Sequence, residues 1–169
     1  MRRLIVLLAF AFVSNALITG NLSAQDNSFQ GKVGLTASVQ ASQFDMLLPI
    51  WITNHFSIAP AFGLLWADEQ GSDVHIGLEP RFFFRKDKVA PYVGLKGGLL
   101  IASPENGESV TDGIVGLAFG GEYFLDDSFS FGIESQLNVT LSSERSTRFG
   151  NPGKANASTA AAVFATVYF

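Results

Sequence analysis

From Phe129 to Leu141 the chain reads FSFGIESQLNVTL. Phe129, Phe131, Ile133, Leu137, Val139 and Leu141 share one parity, interrupted only by Ser135, while Ser130, Gly132, Glu134, Gln136, Asn138 and Thr140 fill the other. Successive side chains of a β-strand point to opposite faces, so a period of two makes a strand with one apolar and one polar face. The pattern recurs. In FSIAPAFGLLW, Phe56, Ile58, Pro60, Phe62, Leu64 and Trp66 oppose Ser57, Ala59, Ala61, Gly63 and Leu65. In DVHIGLEPRFFF, Val74, Ile76, Leu78, Pro80, Phe82 and Phe84 oppose Asp73, His75, Gly77, Glu79, Arg81 and Phe83. A chain patterned this way has to bury one face of a large sheet.

Eight strands are expected, at 31–39, 46–52, 56–66, 73–84, 90–101, 113–124, 129–141 and 158–169. Pro49, Pro60, Pro80 and Pro91 interrupt the signal locally, because proline cannot donate to a strand ladder. The connections alternate. TNH at 53–55, RKDKV at 85–89 and DDS at 126–128 are short, while 40–45, 67–72, 102–112 and 142–157 are longer, the last two rich in Ser, Asn, Gly and Glu. One end of the sheet therefore carries tight turns and the other carries long loops. A weak repeat, GLEPRFFF from Gly77 and GLAFGGEYF from Gly116, suits hairpins laid side by side.

Arg2 and Arg3, the apolar run LIVLLAFAFV and the small-residue site LSA before Gln25 have the order of a cleaved secretory signal, so residues 1–24 are expected to be removed and 25–169 to form one barrel domain. The run is too short for a membrane helix, which needs about 20 apolar residues. The chain has no cysteine, which excludes disulfides, thiol chemistry and lipid attachment to a cysteine. Its net charge of −4, more negative without the two signal arginines, argues against nucleic acid as a partner.

The remaining question is which solvent meets the apolar face. A soluble barrel of the lipocalin kind, a carrier with an apolar cavity, keeps that face inside; a membrane barrel turns it towards lipid. Three features favour lipid. Phe56, Phe82, Phe84, Tyr92, Tyr123, Phe124, Phe129, Phe131, Tyr168 and Phe169 fall at the short-turn ends of strands, the level of an interfacial girdle. The polar faces hold few charges, Lys32, Glu79, Arg81, Lys96, Glu122 and Glu134, three of each sign, as a closed interior network requires. The chain also ends on the alternating strand AAVFATVYF, with Phe169 last.

A signal segment, eight alternating strands and a terminal Phe together resemble the small bacterial outer-membrane β-barrel proteins. The resemblance covers most of 29–169. It implies an all-β, eight-stranded antiparallel up-and-down transmembrane barrel in the outer membrane, with periplasmic termini. It also implies that Val163, Ala165, Val167 and Phe169 form an address for the barrel-assembly machinery; where many members carry an aromatic two residues before the end, this chain has Val167. The implied surroundings are outer-membrane lipid and lipopolysaccharide, with a monomer as the unit.

An eight-stranded interior is about filled by side chains. The expectation is a structural or surface-interaction protein, with no cofactor, metal or catalytic residues and with 102–112 and 142–157 as the contact surface. A rival reading is a lipid A-modifying enzyme. His55, Ser57 and Glu69 resemble the residue types of the outer-membrane lipid A deacylases, but that motif is His-x-Ser-Asn near the C-terminus, whereas HFSI comes early and has Ile58 in place of Asn. His75 is read as a rim residue beside Asp73. Asn138-Val-Thr and Asn156-Ala-Ser are read as ordinary polar positions, and Gly97-Gly98 and Gly120-Gly121 as relief of crowding inside a narrow barrel.

Overall fold

The structure is a computed structural model. It describes residues 28–40, 43–67, 71–85, 87–106, 108–141 and 154–169. The described residues form nine strands: β1 (Gly34–Gln40), β2 (Gln43–Leu47), β3 (Ile50–Thr53), β4 (Phe56–Ala67), β5 (Gly71–Phe83), β6 (Val89–Ser103), β7 (Val110–Phe124), β8 (Phe129–Leu141) and β9 (Asn156–Tyr168). All neighbours are antiparallel. Each of β4 to β9 pairs with the next, β9 pairs back to β1, and β2 lies between β1 and β4. The sheet is therefore closed.

Because β2 and β3 both lie along β4, they are two halves of one stave, and the barrel has eight staves. The strand expected at 46–52 is broken at Leu48–Pro49. Pro49 has no N–H to offer the ladder, yet the wall stays sealed: the Leu48 N–H donates to the Pro60 carbonyl, and the Pro49 carbonyl accepts from Gly34. Pro80 leaves a similar mark, since neither it nor Glu79 has a partner in the β5–β6 register. Pairing in that hairpin otherwise holds one centre, with Leu78 opposite Gly97 and Arg81 opposite Gly94, as the short turn requires.

The short turns are held by side chains. Asp126 Oδ1 accepts from the N–H groups of Ser128 and Phe129, and Thr53 Oγ1 accepts from His55. Ser28 and Phe169 lie at this same end, where the Phe169 N–H donates to the Val33 carbonyl. Among the described residues no helix is long and apolar enough to cross a membrane, which says nothing about strands.

Alternation along the staves sorts the side chains cleanly. Phe62, Leu64, Ile76, Leu78, Leu95, Leu99, Phe119, Ile133, Leu137 and Val163 are exposed on the outside, while Glu79, Arg81, Glu122, Glu134, Gln136, Asn138 and Thr140 are buried inside. The polarity is the reverse of a soluble barrel, and the expected apolar cavity of a lipocalin-like carrier is absent from the described interior.

The girdle is smaller than expected. Phe56, Phe82, Phe84, Tyr123, Phe129, Phe131 and Phe169 have outward parity, but Tyr92, Phe124 and Tyr168 are buried in the lumen. Their level along the strand fits a girdle; their parity does not.

Candidate functional site

The lumen is packed in layers. At the short-turn end lies an aromatic plug of Phe29, Trp51, Phe83, Tyr92, Phe124, Phe164 and Tyr168. Phe29 precedes β1 and reaches in from below, with ring centroids 4.9 Å from Phe124, 5.1 Å from Trp51 and 5.4 Å from Tyr168. Asn54 Oδ1 holds it by accepting from its backbone N–H at 2.9 Å. Trp51 continues to Phe83 at 4.5 Å, and Phe83 to Tyr92 at 5.1 Å.

These rings fit because glycines lie across from them. Tyr92 is paired with Gly120, Phe164 with Gly132 and Tyr168 with Gly34, and a Cβ on any of the three glycines would enter the ring it faces. A ring lying over a cross-strand glycine covers backbone that would otherwise be bare.

Above the plug lies a four-charge network. Lys96 Nζ is 2.8 Å from Glu79 and 3.8 Å from Glu134, while Arg81 is 3.0 Å from Glu79 and 3.2 Å from Glu134. Two carboxylates meet two cations, so the group is balanced, as charges withdrawn from water must be. Uncharged groups extend it. The Tyr92 hydroxyl donates to Glu134 at 2.6 Å, Gln136 Nε2 donates to Glu134 at 2.7 Å, and Asn138 Nδ2 donates to Gln136 at 3.0 Å. The Arg81 guanidinium also packs 4.9 Å from the Tyr92 ring centroid and 5.1 Å from that of Phe164, which ties the network to the plug.

Glu122 stands apart, accepting from the hydroxyls of Ser130 and Tyr168. It is Glu134 that meets Arg81. Lys32 is not in the lumen network at all: its ammonium lies 4.5 Å from the Phe29 ring centroid and donates to the Asp127 carbonyl at the mouth of the barrel. Lys32 sits before β1, where the strand parity used to assign it no longer applies.

His75 is a second correction. It is buried, with Nδ1 3.3 Å from Asp45 Oδ1, and Asp45 also accepts from Gln43. Its parity is that of Glu79 and Arg81, a signal the sequence contained. Asp45 could not be found so easily, because its stave is the broken one. Together with Lys96, Gln136 and Asn138, this pair lines a lumen cavity of about 20 Å³, enough for about one water.

Val163, Ala165, Val167 and Phe169 all take the outward parity of β9, and Val163 lies between Val39 of β1 and Ile133 of β8. His55 is exposed at the β3–β4 turn, with Nδ1 3.0 Å from the Phe83 carbonyl, whereas Ser57 is buried opposite Arg81. Glu69 lies outside the described residues, as does most of 142–157. The other long connection is shorter than expected, since β6 and β7 extend to Ser103 and Val110. Asn138 is inside the barrel, so its sequon is inaccessible. Gly98 and Gly120 face inward beneath His75 and Tyr92, while Gly97 and Gly121 face outward with open space above them. No metal-holding cluster occurs among the described residues.

No known family profile matches this chain. No curated protein matches it either. Solved structures do. The N-terminal β-barrel domain of Pseudomonas aeruginosa OprF superposes with a TM-score of 0.59 at 13% identity, covering 83% of this chain and 98% of that one. Neisserial surface protein A superposes with a TM-score of 0.55 at 16% identity, covering 82% and 94%. At such identities the likeness is one of fold: this chain folds as a small barrel of the outer-membrane type.

Proposed function

We propose that the chain is an integral outer-membrane barrel with a structural or surface-interaction role, and that it is neither a wide pore nor an enzyme. The observation that carries this reading is the inverted polarity, an apolar exterior around an interior of charged and polar groups and stacked rings. Charges inside and hydrocarbon outside suit a wall surrounded by lipid, where a closed sheet leaves no free strand edge. The plug and the network fill the lumen, which supports a non-conducting role.

In this reading the signal is cleaved, the termini and short turns are periplasmic, and the longer connections face outward beside lipopolysaccharide. The barrel-assembly machinery reads Phe169 and the alternate residues before it, and the folded unit is a monomer. The separation of exposed His55 from buried Ser57 supports a non-catalytic role.

Membrane fractionation tests the reading, combined with migration on a mild detergent gel before and after boiling. The expected result is an outer-membrane band whose migration changes on heating. Recovery as a soluble periplasmic protein would overturn the membrane reading, and a sustained porin-sized conductance in planar bilayers would overturn the plugged one.

A further inference from the structure

On the outer wall, at the short-turn end, the girdle has a gap. Gly121 of β7 faces outward with no atom near where a Cβ would stand, and its neighbours on that strand face are Phe119 and Tyr123. Across the β7–β8 ladder, Gly121 lies opposite Ile133, Tyr123 opposite Phe131, and Phe119 opposite Ser135. Two small residues, Gly121 and Ser135, thus lie diagonally between four large apolar ones, and the result is an open groove of about 540 Å³. At Gly121 the surface drops to the backbone.

A cation stands beside Tyr123 at the short-turn end of the groove. Lys88 immediately precedes Val89, the partner of Tyr123 across β6–β7, and its ammonium lies 5.5 Å from the Tyr123 ring centroid. Among the described residues no carboxylate lies within ion-pair distance of Lys88. A lysine held over an interfacial aromatic places its charge at headgroup level, and a cation there attracts anionic lipid.

We propose that this groove is a binding site for one anionic glycerophospholipid of the leaflet that meets the short turns. One acyl chain lies over Gly121 between Phe119, Tyr123, Phe131 and Ile133, and the phosphate lies against Lys88. This rests on the membrane reading above. The groove selects by shape, because Gly121 and Ser135 leave a recess between larger apolar neighbours, and Lys88 selects by charge.

The test refolds the full barrel into vesicles of equal parts phosphatidylcholine and phosphatidylglycerol, then extracts it gently and counts retained lipid by native mass spectrometry. The wild type should retain one phosphatidylglycerol. Gly121→Leu fills the recess without entering the lumen and should reduce retention to background. Gly113→Leu, on the same outer face towards the far end of β7, should leave it unchanged. Lys88→Gln should keep a bound lipid but lose about fivefold of the preference for phosphatidylglycerol, the size of one cation at a charged surface.

Retention by Gly121→Leu at the wild-type level, or equal loss in Gly113→Leu, overturns the site. An unchanged headgroup preference in Lys88→Gln overturns the phosphate contact. Failure of the wild type to enter vesicles at all would instead overturn the membrane reading, a result recognisable before any lipid is counted. Folding of each variant is checked by its heat-dependent gel shift.

Discussion

Lys96 is held by two carboxylates and Arg81 by the same two, so removing either cation leaves an excess of buried negative charge. Lys96→Met alone should destabilise the barrel by about 3–5 kcal/mol. Adding Glu79→Leu should recover much of that, because Arg81 and Glu134 remain as a balanced pair. Urea unfolding from detergent micelles measures both variants, and strictly additive losses would mean that the two residues do not pair. The adjacent glycines offer a finer comparison. Gly120→Ala pushes into Tyr92 and should cost about 1–3 kcal/mol, whereas Gly121→Ala meets open space and should stay within about 0.5 kcal/mol of wild type. Much of this was legible in the sequence. Glu79, Arg81, Lys96 and Glu134 share the polar parity of their strands. Tyr92 has the parity of Lys96, and Tyr168 that of Thr166, so both could have been assigned to the lumen; grouping aromatics by height along the strand hid it. Lys32 and Phe29 obey no parity, because they precede the first regular strand.

Among the elements, β8 states the two-faced rule most plainly. Ile133→Arg, on its outer face, should cost about 2–4 kcal/mol in a bilayer near the midplane. Gln136→Arg, on the inner face, should cost less, since Glu134 stands next to it. Equal tolerance of the two in vesicle refolding would count against the assignment of faces. Strand β9 carries a second prediction. Phe169, the residue after it, donates to the Val33 carbonyl beyond the end of the β1–β9 ladder, and deleting Phe169 should leave more chains unassembled and protease-sensitive in the periplasm. Normal yields of folded barrel would count against an address at this end. Six long staves were readable from periodicity because nothing interrupts their alternation for more than a residue. The broken stave was not, since Pro49 disturbs hydrogen bonding while Asp45, Leu47 and Trp51 keep one parity on either side of it. A pattern of side chains does not record which backbone groups are paired.

Across the whole molecule the two tryptophans report on different worlds. Trp51 is 1% exposed in the plug and Trp66 is 68% exposed on the wall near the other end. A barrel carrying Trp66→Phe should therefore emit from a site that acrylamide and brominated lipid hardly quench, while Trp51→Phe should leave an emission strongly quenched by one of them. Similar quenching of the two would contradict the filled lumen. The plug also has an unusual ancestry along the chain. Phe29 comes from before the first strand, Phe164 and Tyr168 from the last, and Trp51, Phe83, Tyr92 and Phe124 from between. Until β9 docks, neither Phe164 nor Tyr168 is in place, and Glu122 lacks one of its hydroxyl donors. Wall and cork therefore share one strand: β9 closes the circle by pairing with β1 and β8, and its Phe164 and Tyr168 complete the stopper inside it.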